Sequence, residues 1–250
     1  MDLFERQWSS YRAIVDHNLM EHREVAAATA AVLEDWLKQR PENALPPRMV
    51  DLGCGDLALL APLLRRLPLG NYTGLDLAPP VLPLAQQSLG PVPYPTQWLE
   101  GDLLAWATEA APITTVPAPQ LRQHPEPGQS VDILHSAFAI HHLSDQQKAS
   151  FLAAARQRLS PGGVFVWADV FRPSGESRQA YVERYTNRIE TGWLALSADQ
   201  RCHVIDHLLS FDNPADRTAI AAVAESAGWS WRWVWNGAHG AEAVAVLTPA

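Results

Sequence analysis

Residues 50–55 of this 250-residue chain read Val-Asp-Leu-Gly-Cys-Gly, an apolar run that ends in an acid and breaks into two glycines. Such glycines permit a tight turn with positive φ and let a ligand approach the backbone, and a helix starting just beyond them offers unpaired N–H groups. Asp76 closes the next apolar run about 20 residues on, where a carboxylate can accept hydrogen bonds from both hydroxyls of a ribose. A glycine turn with a downstream acid points to a ligand built on a nucleoside. Three histidines follow, His135 inside residues 131–136 and His141 and His142 just after them. An imidazole near neutral pH accepts a proton or positions a substrate, which makes His141 and His142 the catalytic candidates. Adjacent histidines can also ligate a metal, but no acid stands at a recognisable ligand spacing from His135, His141 and His142, so no metal is expected. Cys54 is read as a small pocket wall rather than a nucleophile.

These groups need a scaffold, and the pattern around them supplies one. Residues 48–52, 71–77, 96–99, 131–136 and 163–170 are short apolar runs, and residues 57–64 and 145–159 between them have helical character. Strands alternating with helices imply parallel pairing. Residues 214–227 read as a further helix stopped by Gly228, followed by a strand in which Trp229, Trp231, Trp233 and Trp235 alternate with other residues, a turn at 236–240 and a last strand at 243–248. The expected fold is α/β: a three-layer, Rossmann-like, doubly wound sheet, mostly parallel and seven-stranded, closed by a C-terminal antiparallel hairpin. The tryptophan stripe is read as one aromatic face packing under helices. Residues 1–40 carry a helical apolar pattern and residues 174–213 another, predicting N-terminal lid helices and a helical cap insertion. Residues 111–130 hold five prolines and little periodicity, as in an extended or mobile surface insertion. The chain is expected to form one domain, with 1–40 as lid, 48–170 as cofactor-binding core, 174–213 as cap and 214–250 as final helix and hairpin.

In this order the segments resemble the class I S-adenosylmethionine-dependent methyltransferases. The resemblance runs through DLGCG (51–55), YTGLDL (72–77), EGDLL (100–104), VDILHSAFAIHHL (131–143) and LSPGGVFVWADV (159–170), with the terminal hairpin beyond. It implies that Asp51, Gly53, Cys54 and Gly55 lie along the methionine part of S-adenosylmethionine and that Asp76 binds the ribose. Leu77 would flank the adenine, Asp102 would meet its amino group with Leu103 alongside, and Ser136 and Ala137 would approach the methionyl group. S-adenosylhomocysteine would be the product. Where the family's looser pattern has a third glycine, this chain has Leu57. By the same resemblance the N-terminal helices and cap shape the substrate pocket, with Tyr11, His17, His22, Tyr181 and Tyr185 as candidate substrate residues and Arg178, Arg184 and Trp193 beside them.

A dinucleotide-binding dehydrogenase would read GCGDLA as its glycine fingerprint and use Asp76 equally well, but it requires neither Asp51, nor Asp102, nor the hairpin. Two rivals share the cofactor: a non-catalytic module that binds S-adenosylmethionine or S-adenosylhomocysteine, and an enzyme that alters the sulfonium substituent. The 19 basic and 27 acidic residues, net charge −8, work against a broad nucleic-acid or anionic-lipid footprint and leave a small molecule as the expected partner. No apolar run reaches the roughly 20 residues needed to cross a bilayer, so no membrane partner is expected. Two cysteines and an amino terminus without a basic stretch and apolar core lead to the expectation of a cytoplasmic protein. Monomer and homodimer are equally compatible with the pattern.

Overall fold

The computed structural model describes residues 3–109, 114–115 and 130–250. The chain runs through α1 (Leu3–Asp16), α2 (His22–Lys38), β1 (Arg48–Leu52), α3 (Ala61–Leu64), β2 (Asn71–Asp76), α4 (Val81–Leu89), β3 (Thr96–Glu100), α5 (Leu103–Thr108) and β4 (Thr114–Thr115). It continues with β5 (Val131–Ala137), α6 (Asp145–Arg158), β6 (Leu159–Arg172), α7 (Arg178–Gly192), α8 (Ala198–Phe211), β7 (Ala215–Asp216), α9 (Arg217–Ser226), β8 (Trp229–Asn236) and β9 (Glu242–Pro249). Most of the proline-rich insertion expected at 111–130 lies outside the described residues.

The strand order is β4-β3-β2-β1-β5-β6-β9-β8, with β7 beside β6. β3, β2, β1, β5 and β6 run parallel, while β9 is antiparallel to both β6 and β8. Among the described residues seven strands have five or more residues, as expected; β4 and β7 add two residues each. The order reverses between β1 and β5, and in such sheets the crevice beyond the strands' carboxyl ends at that point is where ligands bind.

Apolar residues on both faces of the parallel strands bury the sheet between two helix layers. On one face Trp106 of α5, Phe151 and Leu152 of α6 and Ile220 of α9 pack over Leu134, Phe165 and Trp167. On the other, Val25 and Leu33 of α2, Leu64 of α3 and Leu82 of α4 pack over Met49, Tyr72 and Val166. A third cluster joins Ile14 of α1 to Tyr181, Tyr185 and Ile189 of α7, Leu208 of α8 and Val170 of β6, which makes α1, α7 and α8 one apolar body.

Three expectations need correction. The helix read over 57–64 is confined to Ala61–Leu64, because Leu57 takes φ 56, a left-handed conformation that interrupts a right-handed helix. The third-glycine position thus keeps a glycine-like backbone while carrying leucine. The helix read from 214 starts at Arg217, since Ala215 and Asp216 first pair with Phe171 and Arg172 and the Asp216 carboxylate then accepts from the Thr218 and Ala219 amides as the cap. The tryptophans do not share one face. A bulge between Trp233 and Trp235 shifts the alternation by one residue, so Trp231 and Trp233 pack with the first cluster and Trp235 with the second.

Candidate active site

At the carboxyl ends of β1, β2 and β3 the chain leaves a cleft of about 410 Å³. Asp51, Gly53, Cys54, Gly55, Asp76, Leu77, Asp102, Leu103 and Ala137 all border it. Gly53 sits at φ 72, and a Cβ added there would come within 2.4 Å of the Ala139 Cβ, so only glycine lets β1 turn beneath the residues following β5. The Gly53 and Cys54 amides both donate to the Leu75 carbonyl, at 2.8 and 3.0 Å, and the Gly55 amide donates to Asp76 Oδ2 at 2.9 Å. The glycine turn is therefore locked to β2 through its own N–H groups, and the helix expected just beyond it starts only at Ala61.

Asp76 also accepts from the Ala78 amide at 2.9 Å, and burial raises its pKa against the pull of these amides. Its carboxylate keeps lone pairs for further donors. Asp102 caps α5 by accepting from the Ala105 amide at 2.8 Å while bordering the cleft. Asp51 is buried with both oxygens engaged, Oδ1 with His135 Nδ1 at 2.6 Å and Oδ2 with the Tyr72 hydroxyl at 2.9 Å. It braces the turn from below. The Cys54 thiol is pushed well up by burial and by Asp51 and Asp76 nearby, which removes it as a nucleophile at neutral pH.

Ser136 departs from its expected place. It is fully buried and donates to the Leu52 carbonyl at 2.8 Å, tying β5 to β1, and does not border the cleft. The sequence reading also missed Asp56. This buried carboxylate follows the glycines and takes Arg12 Nη1 at 2.7 Å and the Tyr11 hydroxyl at 3.3 Å, fastening α1 over the cleft. An acid directly after the glycine pair was the signal available.

A second cavity, of about 550 Å³, lies between α1, α7 and α8. Tyr11, His22, Phe138 and His142 border both cavities and form their shared wall. Tyr181, Tyr185, Trp193 and His141 face the second one only. His17 borders neither; it follows the end of α1 and is exposed. Arg178 donates to the carbonyls of Asp212 and Leu209, and Arg184 pairs with Glu176. Both arginines hold the cap together and are absent from the cavity walls.

His22 is buried against Phe138, with ring centroids 4.9 Å apart, and its Nδ1 has no hydrogen-bond partner among the described residues. Burial lowers its pKa to about 4 despite nearby Glu242, Asp56 and Glu24, so it is neutral at pH 7. His141 is the opposite case. Burial alone would lower its pKa, but the Asp169 carboxylate, 2.5 Å from Nδ1, and Asp212 beyond Nε2 outweigh it and push the value up to about 10. A histidine already holding its proton at neutral pH cannot act as a general base there. Asp212 and His207, which border this cavity, and Asp169, which lies behind His141, were not legible as its partners, because they come from the cap and β6.

Residues 50–165 match a family profile described as a methyltransferase domain. An uncharacterised methyltransferase of Geobacillus kaustophilus is 29% identical over 185 residues, which is 73% of either chain. The demethylmenaquinone methyltransferase of Thermus thermophilus is 31% identical over 136 residues, 52% of either chain. Among solved structures, magnesium protoporphyrin IX methyltransferase from Synechocystis PCC 6803 superposes with a TM-score of 0.62 at 14% identity, over 99% of this chain and 94% of that one. With strand order, terminal hairpin and glycine turn all in place, residues 50–165 form a methyltransferase domain, and the chain has the fold of the class I S-adenosylmethionine-dependent methyltransferases.

Proposed function

We propose that the chain, working as one domain, moves a methyl group from S-adenosylmethionine to a small-molecule acceptor, with the cofactor in the 410 Å³ cleft and the acceptor in the 550 Å³ cavity. The observation that carries this reading is the shared wall of Tyr11, His22, Phe138 and His142, which brings the two compartments together at one point. When bound, S-adenosylmethionine supplies a methyl carbon on a sulfonium, and as the acceptor's lone pair forms the new bond the carbon–sulfur pair returns to sulfur.

The chain's own part is binding and orientation. Asp76 accepts from the ribose hydroxyls and Asp102 from the adenine amino group, while Gly53 and Gly55 give the methionyl portion close access to backbone. Asp76 and Asp102, carboxylates on this cleft that form no ion pair among the described residues, favour a positively charged ligand. The acceptor cavity is walled by Ile14, Met20, Val170, Trp193 and Phe211, with Tyr181 offering a buried hydroxyl that has no partner among the described residues. Those walls fit a largely apolar body bearing a polar nucleophile, in line with the demethylmenaquinone named for the Thermus relative. His22, neutral with a free Nδ1, is the group placed to accept a hydrogen bond from that nucleophile.

Calorimetric titration of S-adenosylhomocysteine into the wild type and Asp76→Ala tests the cofactor half. Binding should weaken by about 1.5–3 kcal/mol in the variant, the scale of hydrogen bonds to a charged group. Binding of NADH in place of S-adenosylhomocysteine would overturn the reading.

A further inference from the structure

At the far wall of the acceptor cavity, three imidazole nitrogens surround one carboxylate oxygen. His141 Nε2, His142 Nδ1 and His207 Nε2 each lie 3.5 Å from Asp212 Oδ1. That oxygen is buried and has no hydrogen-bond partner among the described residues. Donor atoms of His141, His142 and Asp212 all fall within 4.8 Å of one another. We propose that His141, His142 and Asp212 bind a divalent transition-metal ion of the zinc type, with an open coordination position toward the acceptor cavity and His207 at its margin.

The geometry fits on three counts. Zinc binds imidazole nitrogen and carboxylate oxygen at about 2.0–2.2 Å, so neighbouring ligands of a tetrahedral site stand about 3.4 Å apart. The observed 3.5 Å separations match that edge. Second, His141 Nδ1 meets Asp169 Oδ1 at 2.5 Å, and Asp169 is itself held by the Trp167 indole N–H at 2.9 Å and the His141 amide at 3.0 Å. A carboxylate behind a histidine holds the proton on the nitrogen that faces it, and an ion arriving at the other nitrogen displaces the second proton to water, leaving a ligating lone pair on Nε2. Third, two histidines and one carboxylate with a vacant side are a catalytic rather than a closed structural ligand set.

The site's place in catalysis rests on the proposed methyl transfer, whereas its occupancy by metal does not. An acceptor hydroxyl in the open position would lose its proton to water more readily, because the ion stabilises the resulting oxyanion, and that oxygen is the nucleophile of the transfer.

The test uses the whole chain, stripped with a chelator and titrated with cobalt(II), whose visible absorption reports tetrahedral coordination. One saturable equivalent is expected, and His142→Ala and Asp212→Ala should each weaken it by at least about tenfold. His17→Ala, outside both cavities, should leave it unchanged. Absence of a saturable site, or affinity unaffected by the first two variants, would overturn the proposal. Circular dichroism confirms folding, and if Asp212→Ala fails to fold, His142→Ala, with its side chain 41% exposed, decides the matter. Calorimetry with S-adenosylhomocysteine on the same protein separates the two claims: cofactor binding without cobalt binding sinks the metal site alone, and the reverse sinks the methyl-transfer reading alone.

Discussion

His22 and His141 are both buried histidines near one cavity, yet their surroundings drive them to opposite charge states. The neighbours decide: His141 has a carboxylate at 2.5 Å, while His22 has an aromatic ring and a free nitrogen. For His22 the folded value of about 4 lies below the roughly 6.5 of an unfolded histidine. Between those values the unfolded chain binds more protons, so this residue's contribution is fully present above pH 6.5 and is lost as pH falls toward 4. The linked change is about 3 kcal/mol at most. In His22→Leu, urea unfolding stability should therefore fall less steeply from pH 6.5 to 4 than in the wild type. Equal slopes would mean that His22 is not buried as a neutral group. The histidines as a group were legible from the sequence, but their charge states were not, because the deciding partners Asp169 and Asp212 lie 28 and 71 positions from His141.

At the scale of elements, the helices over the site are held by a few long-range polar ties. Arg12 and Tyr11 attach α1 to Asp56, and Arg188 reaches back from α7 to the Leu19 carbonyl at 2.7 Å. Because Tyr11 borders both cavities, loosening α1 should be felt in binding before stability. Arg12 is 39% exposed in this pair, so its contribution to folding is under about 1 kcal/mol. Arg12→Ala is expected to weaken S-adenosylhomocysteine binding several-fold with little change in thermal unfolding; unaltered affinity would show that α1 is not a lid. Element identity was largely readable. The register of hydrophobic residues marks β1, β2 and α6 to within a residue or two, and Ser144 with Gln147 forms a reciprocal cap at the start of α6. The failures came where a backbone conformation is set by distant contacts: Leu57 held left-handed at the turn, and the bulge that sends Trp235 to the opposite face.

For the whole molecule, Glu242 joins the cap to the closing hairpin. It lies fully buried on β9, accepts from the Tyr185 hydroxyl at 2.8 Å and pairs with Arg188 at 2.7 Å. Removing one member of a buried pair leaves the other charged and unpaired, at a cost of about 3–5 kcal/mol. Glu242→Ala should lower the unfolding free energy by that amount in urea titration, and a loss below about 1 kcal/mol would mean the cap is held by apolar contact alone. None of the described helices is long and apolar enough to cross a membrane. What the sequence by itself determined is the alternation of strands and helices, the glycine turn and the acids at Asp76 and Asp102, because periodicity and turn chemistry act over a few residues and leave a local trace. Only the tertiary structure decided that Ser136 faces away from the cleft, that His17 stands outside the site, and that Asp212 joins His141 and His142 at one cavity wall. Those outcomes depend on how separate elements pack, and packing across tens of residues leaves no periodic mark on the chain.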